Sequence, residues 1–151
     1  MTPSREQIRD RLRECNLRCT RQRELVYRAL ASTTTHPTAE ELYSMVRRED
    51  EGTSLATIYN TLEALTRVGL ASRIPSVAGG GACRYDACTG PHVHVVTDEG
   101  RVMDVPYDLS QRLLGHLPRE VLEEMERRMG IAIERVSVQV EARALHHADA
   151  V

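Results

Sequence analysis

The chain of 151 residues contains no tryptophan, no phenylalanine and no lysine, and only four of its residues are cysteines. The cysteines form no C-x-x-C pair, and their spacing fits neither a zinc knuckle nor the disulfide framework of a secreted domain. We therefore expect Cys15, Cys19, Cys83 and Cys88 to be reduced thiols. Long apolar runs are also missing, since none reaches the roughly 18 residues of a membrane helix. The N-terminal segment is charged and lacks the apolar stretch of a signal peptide, so we expect a cytoplasmic protein with no membrane partner.

Charge is unevenly distributed, although the formal net charge is only -2. Residues 1–28 carry eight arginines against four acidic residues, whereas residues 74–151 carry eight arginines against twelve acidic residues. A basic segment on a nearly neutral chain is typical of a protein that binds DNA at specific sites rather than coating it. Taken alone, the same arginines also fit the solvated faces of ordinary helices.

Capping residues predict four helices before the first strand. The predicted starts are Ser4 with Gln7, Thr20, Thr38 with Glu41, and Ser54, and the fourth helix is predicted to stop at Gly69. In the fourth helix, apolar residues recur at helical spacing and are expected in the core. These residues are Leu55, Ile58, Leu62, Leu65 and Val68.

The other face of the fourth helix has the side chains of a DNA-recognition helix. The residues expected to point outward are Ala56, Thr57, Tyr59, Asn60 and Glu63. Thr57, Tyr59 and Asn60 can form hydrogen bonds with base edges in a major groove. Arg21 and Arg23, at the start of the second helix, are expected to contact DNA phosphates.

The remaining pattern predicts an α+β fold. Short strand-like runs at 70–74 and 82–86 predict a hairpin, or wing, after the recognition helix. Beyond Pro91, two strands are predicted at 93–96 and 101–105, and an amphipathic helix is predicted at 118–129. Residues 136–142 alternate between apolar and polar, which predicts a strand with one buried and one polar face. We expect residues 1–88 to form a winged-helix DNA-binding domain together with its hinge. Residues 89–151 are expected to form a small α/β domain. This second sheet is too short to cover its apolar residues, which predicts dimerisation.

Candidate metal ligands occur in four separate stretches. They are His36, Asp86, the pair His92 and His94, and Asp104. Three imidazoles and two carboxylates suit a first-row divalent cation. An ion held by all five would connect the two predicted domains, because His36 lies about 50 residues before the other ligands. His116, His146 and His147 are expected to be unrelated to this site.

Several motifs together resemble the ferric uptake regulator (Fur) family in order and spacing. They are LRCTRQR at 17–23, HPTAEELY at 36–43, SLATIYNTLEAL at 54–65, GL at 69–70, RYD at 84–86, HVH at 92–94 and GRVMDV at 100–105. The resemblance covers about residues 5 to 142. It implies a winged-helix N-terminal domain, a C-terminal dimerisation domain, and a homodimer that binds palindromic operator DNA when metal is bound. It also implies that the five candidate ligands hold the regulatory metal and that Tyr59 is the tyrosine of the recognition helix.

Within this family, the chain is most similar to the peroxide-responsive PerR branch. Aspartate stands at 86 and 104, where the iron-sensing Fur branch tends to have glutamate. In the PerR branch, Fe(II) held by three histidines and two aspartates keeps an open coordination position at which peroxide reacts. The resemblance therefore implies that His36 and His92 are the histidines that become oxidised. An iron-responsive Fur-type regulator and a heme-linked Irr-type regulator stay as alternatives.

The chain departs from most of its apparent relatives at one further site. These relatives carry two C-x-x-C pairs that hold a structural zinc, but this chain has Thr97-Asp-Glu in place of the first pair and no second pair. We therefore expect the structural zinc to be absent, and packing and dimerisation to supply the stability that it would give. The Irr branch also includes members without these pairs, but it carries three consecutive histidines where this chain has HVH.

Two other classes of function fit parts of the sequence. Three histidines and two carboxylates also describe non-heme metal enzymes, but no larger scaffold with a substrate pocket is indicated. A structural winged-helix adaptor would bind DNA equally well with and without metal. Our prediction is a metal-dependent transcriptional repressor and not an enzyme.

Overall fold

The computed structural model describes residues 3–76, 81–87, 90–143 and 145. The chain divides into two compact units, Met1–Thr89 and Gly90–Val151. Residues 77–80, Cys88, His146 and His147 lie outside the described residues, so the expectations for them stay predictions. No helix in the described ranges is long and apolar enough to cross a membrane.

Four helices precede the first strand of unit 1, as the capping residues predict. They are α1 (Arg5–Glu14), α2 (Arg21–Ala31), α3 (Ala39–Arg47) and α4 (Leu55–Arg67). The side chain of each predicted N-cap residue accepts a backbone N–H from the first turn of its helix. Ser4 with Gln7 and Thr38 with Glu41 complete reciprocal capping boxes. Such caps stabilise a helix by about 1 kcal/mol each.

The core of unit 1 forms where the apolar faces of these helices meet. Its most buried members include Ile8, Leu12, Val26, Tyr27, Leu30, Leu42, Ile58, Leu62 and Leu65. Burial of each aliphatic side chain contributes about 1.5–3 kcal/mol. The predicted inner face of α4 is confirmed at its centre, whereas Leu55 and Val68 at its ends are only half-buried. Gly69, with φ of +75°, follows the helix in the left-handed conformation that glycine favours.

A two-stranded hairpin follows α4. Strand β1 (Ser72–Ile74) pairs antiparallel with β2 (Arg84–Asp86), so that Ser72 lies opposite Asp86 and Arg73 opposite Tyr85. The prediction of two strands is confirmed, although both are shorter than the predicted runs. The hairpin is tied to the segment before α3, because the Tyr85 N–H donates to the Pro37 carbonyl at 3.0 Å.

The described residues of unit 2 form a three-stranded sheet and two helices. In chain order, the elements are β3 (Val93–Thr97), β4 (Val102–Asp104), α5 (Tyr107–Gly115), α6 (Arg119–Met129) and β5 (Val138–Ala142). The strand order is β4-β3-β5, with β3 antiparallel to β4 and parallel to β5. The central strand β3 supplies the buried Val93 and Val96.

One helix of unit 2 was not predicted, and one expectation for this unit is wrong. Helix α5 was not predicted, because its N-cap position is Pro106, which offers no side-chain hydrogen bond. The buried Ser110 of α5 fixes the helix to the sheet by accepting the Val93 N–H at 3.3 Å and donating to the Val105 carbonyl at 3.0 Å. Strand β5 also fails to show one buried and one polar face, since Val140 on the expected inner face is 38% exposed.

Candidate metal-binding groups and DNA-binding surface

Unit 1 brings together two of the five predicted metal ligands. Both His36 and Asp86 are buried, at 2% and 8% exposure, and each has a ligand atom within 4.8 Å of the other's. The fold explains their proximity, because Asp86 ends β2 and β2 is bonded to the segment that contains His36. The Arg84 guanidinium donates to the His36 carbonyl at 2.9 Å, and an isolated bridge joins Thr38 to Arg84.

The backbone of His36 has an unusual conformation. Its φ is +50°, in the left-handed region that costs a residue with a side chain roughly 1–2 kcal/mol. The following residue is Pro37, which further restricts the conformation of its predecessor. Such strain persists only where the surrounding structure imposes it, and it concentrates at functional sites. The buried imidazole is therefore held by the fold at a small cost in stability.

Unit 2 brings the other three predicted ligands together. Register places His94 on β3 opposite Asp104 on β4. His92 directly precedes β3, and His94 lies within it. The Nε2 atoms of His92 and His94 are 2.8 Å apart, and they lie 3.6 Å and 3.4 Å from Asp104 Oδ1.

These distances lie within about 0.2 Å of those between ligand atoms in the first coordination shell of a divalent cation. Metal–ligand bonds of about 2.1 Å place neighbouring ligand atoms roughly 3.0–3.4 Å apart in octahedral or tetrahedral geometry. His92 Nδ1 lies 2.7 Å from the Gly90 carbonyl oxygen. A proton on Nδ1 donated to that oxygen leaves the Nε2 lone pair of His92 directed toward His94 and Asp104, the arrangement usual for metal-binding histidines. The donor set of unit 2 therefore fits a metal.

The predicted DNA-binding residues of α4 lie on its solvent side. Tyr59 is 44% exposed, Asn60 is exposed and Thr57 is half-buried. The Thr57 hydroxyl lies 2.9 Å from that of the N-cap residue Ser54. Nothing in these positions conflicts with a role in base contacts, and that role stays a prediction.

Tyr59 has a partner that the sequence did not indicate. Its hydroxyl donates to Glu40 Oε1 on α3 at 2.6 Å. This hydrogen bond lowers the pKa of Glu40, and the neighbouring carboxylate raises the pKa of the Tyr59 hydroxyl. Glu40 is therefore charged at neutral pH, and the hydrogen bond ties the Tyr59 hydroxyl on α4 to α3.

The two predicted phosphate-binding arginines differ in their surroundings. Arg21 is exposed at the first position of α2, whereas Arg23 is half-buried. The Arg23 guanidinium donates to the Arg18 carbonyl at 2.6 Å, and its backbone N–H donates to Thr20 Oγ1 at 3.2 Å. Arg23 thus helps to fix the start of α2, while Arg21 faces solvent.

The remaining histidine and the cysteines considered in the sequence are also described. His116 Nδ1 lies 2.5 Å from the Arg112 carbonyl at the end of α5. Cys15, Cys19 and Cys83 are free thiols, as expected.

The fold defines a class of protein: a winged-helix domain of four helices and a hairpin, followed by a small α/β domain. A family model described as "Ferric uptake regulator family" matches residues 14–140. The chain belongs to this family. Its members are metal-responsive transcriptional regulators with an N-terminal winged-helix DNA-binding domain and a C-terminal dimerisation domain, and they are not enzymes.

Known relatives include regulators with different signals. The chain is 34% identical over 97 residues to the peroxide-responsive repressor PerR of Staphylococcus aureus, and the match covers 64% of each chain. The aligned region thus spans less than two thirds of the length of that repressor. The structure of the ferric uptake regulator from Pseudomonas aeruginosa with manganese is 25% identical, with a TM-score of 0.67 over 91% of this chain and 98% of that one. A Campylobacter jejuni peroxide stress regulator has the same fold, with a TM-score of 0.64, 24% identity, and coverage of 94% of this chain and 96% of that one.

Proposed function

We propose that this chain is a metal-dependent transcriptional repressor that binds palindromic operator DNA as a homodimer and responds to peroxide. In this proposal, residues 1–88 bind DNA and residues 89–151 form the dimer. The observation that carries it is the convergence of His92, His94 and Asp104, whose ligand atoms lie within 3.6 Å of one another. The ligand atoms of this set are nitrogen and oxygen, which favours Fe(II) or Mn(II) over a zinc centre held by thiolates.

All five predicted ligands serve one regulatory ion in this proposal. His36 and Asp86 come from unit 1, and the other three come from unit 2. Fe(II) held by these residues would supply the redox chemistry that activates peroxide. In the net step, one oxygen atom of hydrogen peroxide would be inserted into a C–H bond of a ligand imidazole, and the other would leave as water. His36 and His92 are the proposed sites of that modification. No structural zinc is required, since the chain lacks the paired C-x-x-C motifs.

DNA recognition in this proposal uses α4 and the start of α2. Thr57, Tyr59 and Asn60 contact base edges, and Arg21 and Arg23 contact phosphates. The exposed positions of Tyr59, Asn60 and Arg21 support this assignment. Tyr59→Ala should weaken operator binding more than binding to random-sequence DNA.

The apolar surface of unit 2 supports the homodimer. Leu109 and Leu113 form an exposed stripe on α5, and Val121, Met125 and Met129 form another on α6. Every residue of α6 is described, and none of them is buried. An amphipathic helix normally buries its apolar stripe, so these two helices need a partner. A second copy of unit 2 provides the same apolar stripes.

One experiment tests the metal and the signal together. The full chain, loaded with Fe(II) or Mn(II) under anaerobic conditions, is titrated with a palindromic duplex that the Mn(II) form has selected from a random pool. Both loaded forms should bind the duplex more tightly than the metal-free chain does. Brief peroxide exposure should release DNA only from the Fe(II) form and add one oxygen atom to a peptide that contains His36 or His92.

The outcomes separate this proposal from its alternatives. Metal-dependent binding that survives peroxide, without a mass change in either peptide, would indicate an iron- or manganese-responsive regulator of the Fur type. The similarity to a ferric uptake regulator solved with manganese favours this second candidate. DNA binding that changes only with heme would indicate an Irr-type regulator, and equal binding with and without metal would refute metal control.

A further inference from the structure

An open groove lies within unit 1, between the second half of α4 and the hairpin β1–β2. Its volume is about 530 Å³. The residues that line it are Tyr59, Glu63, Thr66, Arg67, Arg73 and Tyr85. Except for Tyr59, these residues belong neither to the metal-binding groups nor to the DNA contacts proposed above.

Local geometry explains why these side chains face one another. Glu63 and Thr66 lie four and seven residues after Tyr59, which places all three on one face of α4. Arg73 and Tyr85 are directly paired across the hairpin. Paired residues of an antiparallel ladder project from the same side of the sheet. The groove therefore has one helical wall and one hairpin wall, both set by the backbone.

The charge of the groove favours an anionic ligand. Arg67 is exposed and makes no ion pair with any described residue. Arg73 donates to Cys83 Sγ at 2.9 Å, so its described partner is a sulfur atom rather than a carboxylate. Glu63 is the acidic member of the lining, so the lining alone has a formal charge of +1, and the charged Glu40 bonded to Tyr59 is not one of the lining residues.

The position of the groove along α4 matches the dimensions of duplex DNA. Tyr59 and Arg67 are eight residues apart, which is about 12 Å along a helix axis. The major groove of B-DNA is also about 12 Å wide. If the first half of α4 lies in a major groove and the helix axis crosses that groove, the second half of α4 would lie near the sugar-phosphate strand at its edge. A phosphodiester carries the charge that Arg67 and Arg73 attract.

We infer that Arg67 and Arg73 form a phosphate-binding cleft for the DNA strand that borders the major groove, and that Glu63 limits the strength of this contact. The inference rests on the proposed DNA binding by α4. The contact positions the helix but does not read sequence, because phosphates are the same at every base pair. It adds two cationic contacts per protomer to those of Arg21 and Arg23.

Salt dependence is the property that tests this cleft. The affinity of the Mn(II)-loaded full chain for a fluorescent 30-base-pair duplex of random sequence is measured by anisotropy over a series of salt concentrations. Each lost phosphate contact should reduce the slope of log affinity against log salt by about 0.9. Arg67→Gln and Arg73→Gln should each flatten the slope by about this amount per bound protomer, and the double variant by about twice as much.

Matched variants control for charge and for folding. Arg119→Gln removes one exposed arginine from α6 and should leave the slope unchanged. Arg73→Lys retains the charge and should retain the slope, whereas Glu63→Gln should tighten binding to random-sequence DNA. The ratio of operator affinity to random-sequence affinity should change less than twofold in Arg67→Gln and Arg73→Gln.

The controls also distinguish failure of the inference from failure of the proposed function. Wild-type slopes in both arginine variants would overturn the inference, provided that the wild-type chain binds the duplex. A similar flattening in Arg119→Gln would also overturn it, because the effect would then reflect net charge alone. A wild-type chain that binds neither random nor selected duplexes would refute the proposed DNA-binding function itself.

Discussion

Replacement of Asp104 by alanine is the most direct test of the metal-binding group in unit 2. Asp104 Oδ1 lies 3.4 Å from His94 Nε2 and 3.6 Å from His92 Nε2, and it is the carboxylate of this group. Loss of a residue that only supports a metal ligand typically weakens affinity 10- to 100-fold. Asp104 is the carboxylate in the unit that supplies three of the five proposed ligands, so its loss should weaken Mn(II) binding at least about 100-fold.

Thermal unfolding converts this loss into a measurable shift. A ligand present at 100 times its Kd stabilises the native state by about 2.7 kcal/mol. For a chain of about 150 residues, this corresponds to a rise in Tm of roughly 5–10 °C. At the same Mn(II) concentration, the Asp104→Ala variant would be near its weakened Kd. The remaining stabilisation of about 0.4 kcal/mol should raise Tm by only about 1–2 °C.

A carboxylate elsewhere in unit 2 provides the control. Asp108 is exposed in the first turn of α5, and Asp108→Ala should retain the full Mn(II)-dependent rise in Tm. The reasoning fails if Asp104→Ala and the wild-type chain show the same rise. It also fails if Asp108→Ala loses the rise to the same extent as Asp104→Ala.

Three further changes test other parts of the structure. Arginine partners lower the pKa of Glu24, so the stabilisation from these ion pairs is present above the ordinary pKa of about 4.5 and is lost as pH falls through the lower pKa of the folded state. Glu24→Gln should lower the free energy of unfolding by about 1 kcal/mol at pH 7 and reduce the acid sensitivity of unfolding. Glu40→Gln should strengthen binding to random-sequence DNA in anisotropy titrations, because it removes a negative charge next to Tyr59, and unchanged affinity would argue against DNA near this pair. Val121→Arg should shift the sedimentation coefficient toward that of a monomer, whereas the control Glu120→Arg on the same helix should not. If both variants sediment as dimers, the dimer interface lies elsewhere.

The sequence predicted the helices of unit 1 well because their signals are local. The hydroxyls of Ser4, Thr20, Thr38 and Ser54 cap helices within three residues of themselves. The apolar spacing within α4 similarly identified the buried Ile58, Leu62 and Leu65. Such short-range preferences survive in the fold because tertiary packing reinforces them.

Features that depend on partners distant in sequence were not predicted. Helix α5 begins at Tyr107 after a proline that offers no capping side chain, and Ser110 holds it against β3 through bonds to Val93 and Val105. The bond from Tyr59 to Glu40 spans 19 residues and joins two helices. No periodicity within one segment indicates such contacts. The alternation of residues 136–142 was misleading for a related reason, because the face that includes Val140 stays exposed in the single chain.

The division of the proposed ligands between the two units leads to a last prediction, for Asp86→Asn. Metal controls DNA binding only if it binds one arrangement of the DNA-binding unit more tightly than another. His36 and Asp86 are the proposed ligands in that unit, so they supply this difference, while the three ligands of unit 2 supply most of the affinity. Asp86→Asn should therefore weaken Mn(II) binding less than about 10-fold and yet lose most of the Mn(II)-dependent gain in operator affinity. By linkage, operator DNA should tighten Mn(II) binding to the wild-type chain by the same factor as Mn(II) tightens DNA binding. The effect of operator DNA on Mn(II) affinity should vanish in Asp86→Asn and persist in the control Glu51→Gln. If the effect persists in Asp86→Asn as well, Asp86 plays no part in the coupling.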